Sequence, residues 1–222
     1  MSCDKNDYND YIDPVNVKLL ETETSGKFHM RKFFYDDQNR IKEMWTFSGG
    51  ELFEKAHLTY TGEDLTKFEY AYLVDGEFVV MDTRNYVKNG NKISWSINTL
   101  TLNNDGFPIK LEEVFFNTPL VSTFTYVRGN LVKYSYDTMF SSLSNDPGER
   151  NYKYGADRSA YSGCKTPKWF MFLYFFEMAS HNAVKTKSNP DATYSYEFDS
   201  DGFPIKYTQF GTEDITEFKY MK

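Results

Sequence analysis

The heptad Asn104-Asp105-Gly106-Phe107-Pro108-Ile109-Lys110 returns 96 residues later as Ser200-Asp201-Gly202-Phe203-Pro204-Ile205-Lys206, changed only at its first residue. An Asp-Gly pair supplies the positive φ that a tight turn needs, and a proline at the first residue of a strand gives up an N–H that is dispensable there. The heptad therefore reads as a hairpin corner. A chain built from such corners is confined to antiparallel pairing, with neighbours in sequence lying side by side in space.

Looser copies run along much of the chain: an aromatic residue or Leu, a polar turn, then Ile or Leu, often followed closely by Lys. Tyr35 to Lys42, Tyr60 to Lys67, Tyr86 to Ile93, Tyr126 to Lys133 and Phe210 to Ile215 all fit. Each corner is flanked by apolar residues that cover its base. The uneven spacing between copies favours a meander of hairpins over a solenoid of identical rungs. Asp75-Gly76, between Tyr72-Leu73-Val74 and Phe78-Val79-Val80, is a two-residue hairpin signal of the strongest kind.

Composition agrees with this class. Aromatic residues make up 18% of the chain, and they favour half-buried pleated surfaces. A chain of 222 residues buries enough surface for one sizeable core without a second domain. A net charge of −7 opposes nucleic acid as a partner, because phosphate binding needs a concentrated basic surface. No apolar run approaches the roughly 20 residues of a membrane-spanning helix. A transmembrane β-barrel is the nearer competitor, but Lys42-Glu43 and Glu112-Glu113 place charge where a lipid face has to be apolar.

The expected fold is mainly β: an antiparallel meander of about 12 strands forming a strongly curved sheet or open barrel. Residues 1–14 are polar and Asp/Asn-rich and read as a flexible tether, and residues 15–222 as a single β-rich domain. The alternation breaks between Ser141 and Asp191, where Ser144 to Glu149 reads as a loop. Thr166-Pro167 offers an N-cap and a first-turn proline for a helix over 167–180, apolar nearly all round. Such a helix has to be covered, most simply by lying across the concave side of the sheet and filling it.

Two cysteines are present, Cys3 and Cys164. Met1-Ser2-Cys3-Asp4-Lys5-Asn6-Asp7 reads as the mature start of a bacterial lipoprotein whose signal peptide has been replaced by a starting Met, which makes Cys3 the candidate for lipidation. Tyr152-Lys153-Tyr154-Gly155-Ala156-Asp157-Arg158-Ser159-Ala160-Tyr161-Ser162-Gly163, then Lys187-Ser188-Asn189-Pro190, then Tyr194 to Pro204 resembles the C-terminal signature of a domain-of-unknown-function family of Gram-negative gut-bacterial lipoproteins with YD/Rhs-like repeats. Gly155-Ala156 stands where that family has Asp, and Ala160-Tyr161 where its Asn-Pro-Phe begins. The resemblance implies a β-rich outer-membrane lipoprotein on the periplasmic or cell-surface side. It transfers no catalytic residue.

A search for chemistry points the same way. His29, His57 and His181 stand alone, without a second ligand at metal-binding spacing. Asp199-Ser200-Asp201-Gly202 resembles the opening of a calcium loop, but Pro204 falls where such a loop needs Gly. Glu112-Glu113 point to opposite faces of a strand and make no glycosidase dyad. The expectation is a non-enzymatic envelope lipoprotein without cofactor or metal, in a binding or scaffold role, with membrane contact only through an N-terminal lipid. A glycan or an envelope protein is the expected partner, with Trp45, Trp95 and Trp169 as stacking candidates. The alternative is a secreted or surface hydrolase acting on polysaccharide or peptide.

Overall fold

The computed structural model describes residues 17–26, 29–137, 148–188, 191–211 and 215–221. The proposed tether, Cys3 and most of the loop from Ser144 lie outside them. The first strands are β1 (Leu20–Ser25), β2 (His29–Tyr35), β3 (Ile41–Ser48), β4 (Glu51–Thr61), β5 (Asp64–Val74) and β6 (Glu77–Asn85). Next come β7 (Val87–Asn89), β8 (Lys92–Trp95), β9 (Asn98–Leu102), β10 (Pro108–Phe115), β11 (Thr118–Val127), β12 (Asn130–Tyr136) and β13 (Gly148–Arg158). After the helix α1 (Lys168–Phe175) and a 3-10 turn (Phe176–Ala179), β14 (Asn182–Lys187), β15 (Ala192–Phe198), β16 (Pro204–Gln209) and β17 (Ile215–Tyr220) complete the sheet.

Each strand ladders antiparallel to its successor from β1 to β6 and from β7 to β17, and β1 pairs with β17. Only Tyr86 separates β6 from β7, so one polypeptide run carries the wall past this point. The sheet is thus nearly closed into a barrel. It has 17 strands rather than about 12. The added strands include the three-residue β7, the strands β13 and β14, whose polar sequences hide their alternation, and the separation of β8 from β9 by a turn at Ser96-Ile97. Ser96 makes that turn without a glycine, at a φ of 49°.

Three corners share one hydrogen-bond pattern. The side-chain oxygens of Asp36, Asn103 and Asp199 each accept the N–H two residues on and the N–H four residues on, at 2.9–3.0 Å. The same three residues donate their own N–H to the carbonyl of the fourth residue on, at 2.9 Å. The third residue on adopts a left-handed φ: 63° at Asn39, 81° at Gly106 and 78° at Gly202. The repeat is therefore an Asx-clamped turn, and Asn39 replaces glycine because Asn tolerates that region. At the third corner the Lys18 ammonium lies 2.7 Å from Asp199 and 2.6 Å from Asp201, which places a side-chain cation on the stretch that resembles a calcium loop.

By the alternation of the meander, all these corners fall at one end of the barrel. The β3–β4, β5–β6, β8–β9, β10–β11 and β16–β17 turns fall at the other. The corner end is acidic and amide-rich. At the far end Ile97, Phe116 and Phe210 are 66%, 82% and 85% exposed.

The barrel is filled, not hollow. Trp169, Phe170, Met171, Phe172 and Phe175 of α1 are all buried. Their rings meet residues spread between β2 and β11: Trp169 against Tyr86, Phe170 against Phe68, Phe172 against Phe107 and Tyr126, and Phe175 against Phe33. Burying each such side chain is worth roughly 1.5–3 kcal/mol. The helix is shorter than the expected 167–180. Phe176, at a φ of 44°, ends the α-helical run and turns its ring onto Tyr134. Thr166 does not cap the helix either. Its hydroxyl accepts the Ile41 N–H at 2.7 Å and so ties the start of the helix to β3.

Outward faces carry charge. Lys67 pairs with Glu69, Lys110 with Glu112 and Lys206 with Glu197, each at 2.7–2.8 Å. Phe68 and Leu111 between them point inward and are buried. A lipid-facing band excludes such pairs, so these strands present a water face.

Candidate functional site

A cavity of about 580 Å³ opens at the end opposite the Asx corners. Its wall comes from the inward residues of the first five strands: Glu23, Ser25, Arg31, Thr46, Glu54 and Tyr70, with Met44 and Ala56 below. Tyr174 and Phe175 of α1 and Phe68 form its base, and Phe53, His29 and Tyr207 lie around it. The helix thus acts as a plug that stops partway and leaves a cup above it. This volume lies within the range of small-molecule sites, which combine apolar walls with a few fixed polar groups.

The polar groups are held in place. Tyr161 donates its hydroxyl to Glu23 at 2.8 Å, and the Arg31 guanidinium approaches the same oxygen at 3.5 Å. Thr46 donates to Glu54 at 2.9 Å. Tyr70 and Tyr72 hydroxyls lie 2.9 Å apart. The Arg31 guanidinium sits 5.8 Å from the centre of the Phe175 ring, within cation–π reach. Burial works against its charge, but Glu23, Tyr161 and Glu54 outweigh that penalty and hold it above the ordinary arginine value. Burial likewise pushes the Tyr70 and Tyr174 hydroxyls well up, so both stay protonated as donors. Tyr207 is pushed up to about 12 for the same reason.

The cup is lined by aromatic side chains and by two carboxylates, Glu23 and Glu54. One cation stands between them. Such a set orients hydroxyl or amine groups and packs against apolar ring faces. Glu23 is held by the Tyr161 hydroxyl and the Arg31 guanidinium, and Glu54 by the Thr46 hydroxyl.

The sequence-derived candidates lie elsewhere. Trp95 and Trp169 are 7% and 5% exposed and pack edge-on against Tyr86 in the core. They present no face to solvent. Trp45 is half-buried on the outer wall, 4.6 Å from Phe34, with the Lys55 ammonium 4.8 Å over its ring and its indole N–H donated to Glu43. No two of the three tryptophans share a surface. Cys3 lies outside the described residues. The Cys164 thiol is free, and burial pushes it up, away from the thiolate that a nucleophile needs. His57 lies on β4, His181 beside Phe107, and His29 at the cup, edge-on to Phe53.

Reading the sequence for motifs missed Arg31, Glu23 and Glu54, because no motif joins them. A signal was nevertheless present. Arg31 has the same strand phase as Phe33 and Tyr35, and Glu54 the same phase as Ala56, Leu58 and Tyr60. A charge in the inward phase of an otherwise apolar row is either paired or functional.

No protein-family model matches the chain, and no curated protein matches it. Among solved structures, a porin-like protein from Bacteroides uniformis aligns over 95% of this chain and 100% of that one, at 12% identity and a TM-score of 0.41. The TcdB2-TccC3-TEV crystal structure aligns over 81% of this chain and 12% of that one, at 13% identity and a TM-score of 0.30. At these scores neither likeness bears on function.

Proposed function

We propose that the protein is a non-enzymatic lipoprotein of the outer membrane that binds a glycan in the cup above α1. The carrying observation is the cavity itself: about 580 Å³, with Tyr174 and Phe175 as an aromatic floor and Arg31 between Glu23 and Glu54 on its wall. Aromatic faces cover the apolar C–H faces of a sugar ring, and fixed charged groups hydrogen-bond its hydroxyls with more strength than neutral ones. The two carboxylates outnumber the one arginine, which favours neutral sugars and amino sugars over uronic acids.

Calorimetric titration with soluble di- and trisaccharides is expected to give saturable heat for a neutral or amino sugar. Affinity is expected to fall at least about tenfold in Arg31→Met, the scale of one lost charge-assisted hydrogen bond. Heat from an acidic sugar that survives Arg31→Met sinks the glycan assignment, as does binding of peptides alone.

The envelope location is supported by the sequence at Cys3 and by the resemblance over Tyr152 to Pro204. Metabolic labelling with a clickable palmitate, on protein expressed from the full native gene, is expected to mark the chain and to fail in Cys3→Ala. No label in either form removes the lipid anchor and returns the protein to a soluble role.

A further inference from the structure

Strand β6 is laddered on one side only among the described residues. On one side β6 ladders with β5 from Val74↔Glu77 to Lys67↔Asn85. On its other side the neighbouring hairpin is short: β8 pairs with β7 only up to Val87↔Ser94, and the β8–β9 ladder closes at Trp95↔Asn98. Among the described residues no ladder covers the outer edge of β6. That edge is apolar. Val79, Val80 and Met81 are 45%, 54% and 61% exposed, and Leu73 and Val74 on β5 are 42% and 45% exposed. Phe78 through Val80 contains no lysine, proline or inward charge of the kind that protects an edge strand from pairing, and a β-bulge at Met81 ends this regular stretch.

The direction of the backbone groups follows from the turn. Asp75 and Gly76 have φ of 50° and 87°, a two-residue hairpin in which Val74 and Glu77 bond each other. By alternation Val79 also bonds toward β5, and Phe78 and Val80 send their N–H and C=O groups outward. Two such edges fit one another antiparallel in one register. With a two-fold axis at Val79, Phe78 lies opposite Val80 of the second copy and exchanges both hydrogen bonds with it, while Val79 faces its own twin. No like charges meet within this register: Phe78–Val80 and Val79–Val79 are apolar pairs, and next to them Glu77 faces Met81.

We propose that β6 is a homodimer interface, in which two copies join edge to edge about Val79 and continue the sheet from one barrel to the next. A closed barrel leaves no edge for this. The short β8–β9 hairpin exposes one. Because the opposed Val79 pair is a non-hydrogen-bonded pair, its Cβ atoms approach closely enough for a disulfide, whereas Val80 faces Phe78.

The test uses the full chain with Cys3→Ser as background. Sedimentation velocity is expected to show a shift from one to two chain masses as concentration rises, abolished by Val80→Lys. Since Val80 is 54% exposed, that variant keeps the fold, which circular dichroism verifies. Under mild oxidation Val79→Cys is expected to cross-link into a covalent pair, and Val80→Cys at least several-fold less. Three results each overturn the proposal: one chain mass at every concentration, equal cross-linking at both positions, or co-sedimentation with phosphatidylcholine vesicles in place of self-association, which assigns the hairpin to a lipid surface.

Discussion

Raising the pH is expected to unfold the protein within about one pH unit above 10, with tyrosine ionisation and loss of β-structure in a single step. Tyr35, Tyr126, Tyr154, Tyr161, Tyr196 and Tyr220 are all held above the ordinary value of 10.0, first of all by burial. A raised native pKa means that the folded chain retains protons that the unfolded chain releases. The stability is therefore complete below pH 10 and declines as pH rises toward the native values. Each group costs about 1.4 kcal/mol per pH unit in that window, and six together on the order of 8 kcal/mol per unit, against a total of roughly 5–15 kcal/mol. Tyrosinate absorbance and far-ultraviolet circular dichroism report the two events. Gradual ionisation with the sheet intact beyond pH 12 contradicts the burial of these hydroxyls.

The same tyrosines explain part of what the sequence revealed. Tyr35 and Tyr60 precede corners, and their hydroxyls reach back to the carbonyls of Leu20 and Ile41 at 2.9 and 2.7 Å. Tyr220 does likewise to Pro204. Local turn chemistry is visible in a sequence because it depends on residues a few positions apart, and so the corners and the Asp75-Gly76 hairpin were legible. The helix was also legible as an internal element, because it is apolar on every side.

What stayed hidden depends on distant residues. In β13 only Tyr152 and Tyr154 turn inward from a polar run, and Gly148 and Gly155 lie under Tyr136 and Lys185, contacts that no local pattern announces. In β14 the buried Ala183-Val184 pair is too short to signal a strand. The cup was illegible for the same reason: Glu23, Arg31 and Glu54 come from three strands, and their meeting is set by strand phase and barrel closure. The tryptophans drew attention by size. Two of the three, Trp95 and Trp169, are core residues.

Replacing Phe170 by Ala is expected to cost about 3–5 kcal/mol, a third or more of the total stability of an average domain. Phe170 is 0% exposed and packs 5.5 Å from Phe68 and 4.3 Å from Tyr174, so its ring joins the helix to β5 directly beneath the cup. A meander whose interior is closed by one short helix has few ways to collapse around a lost ring, because the wall is held at fixed radius by its ladders. The cavity should persist. Urea titration is expected to show a lower midpoint with an unchanged slope, as befits a lost core contact in an intact fold. Phe210→Ala, at a ring 85% exposed, should leave the midpoint where it is. The damage also reaches the proposed site. Tyr174 loses the ring it stacks on, the floor of the cup loosens, and glycan affinity falls along with stability. If Phe170→Ala lowers the midpoint no more than Phe210→Ala does, the helix is not the core of this barrel, and the cup above it has no fixed floor.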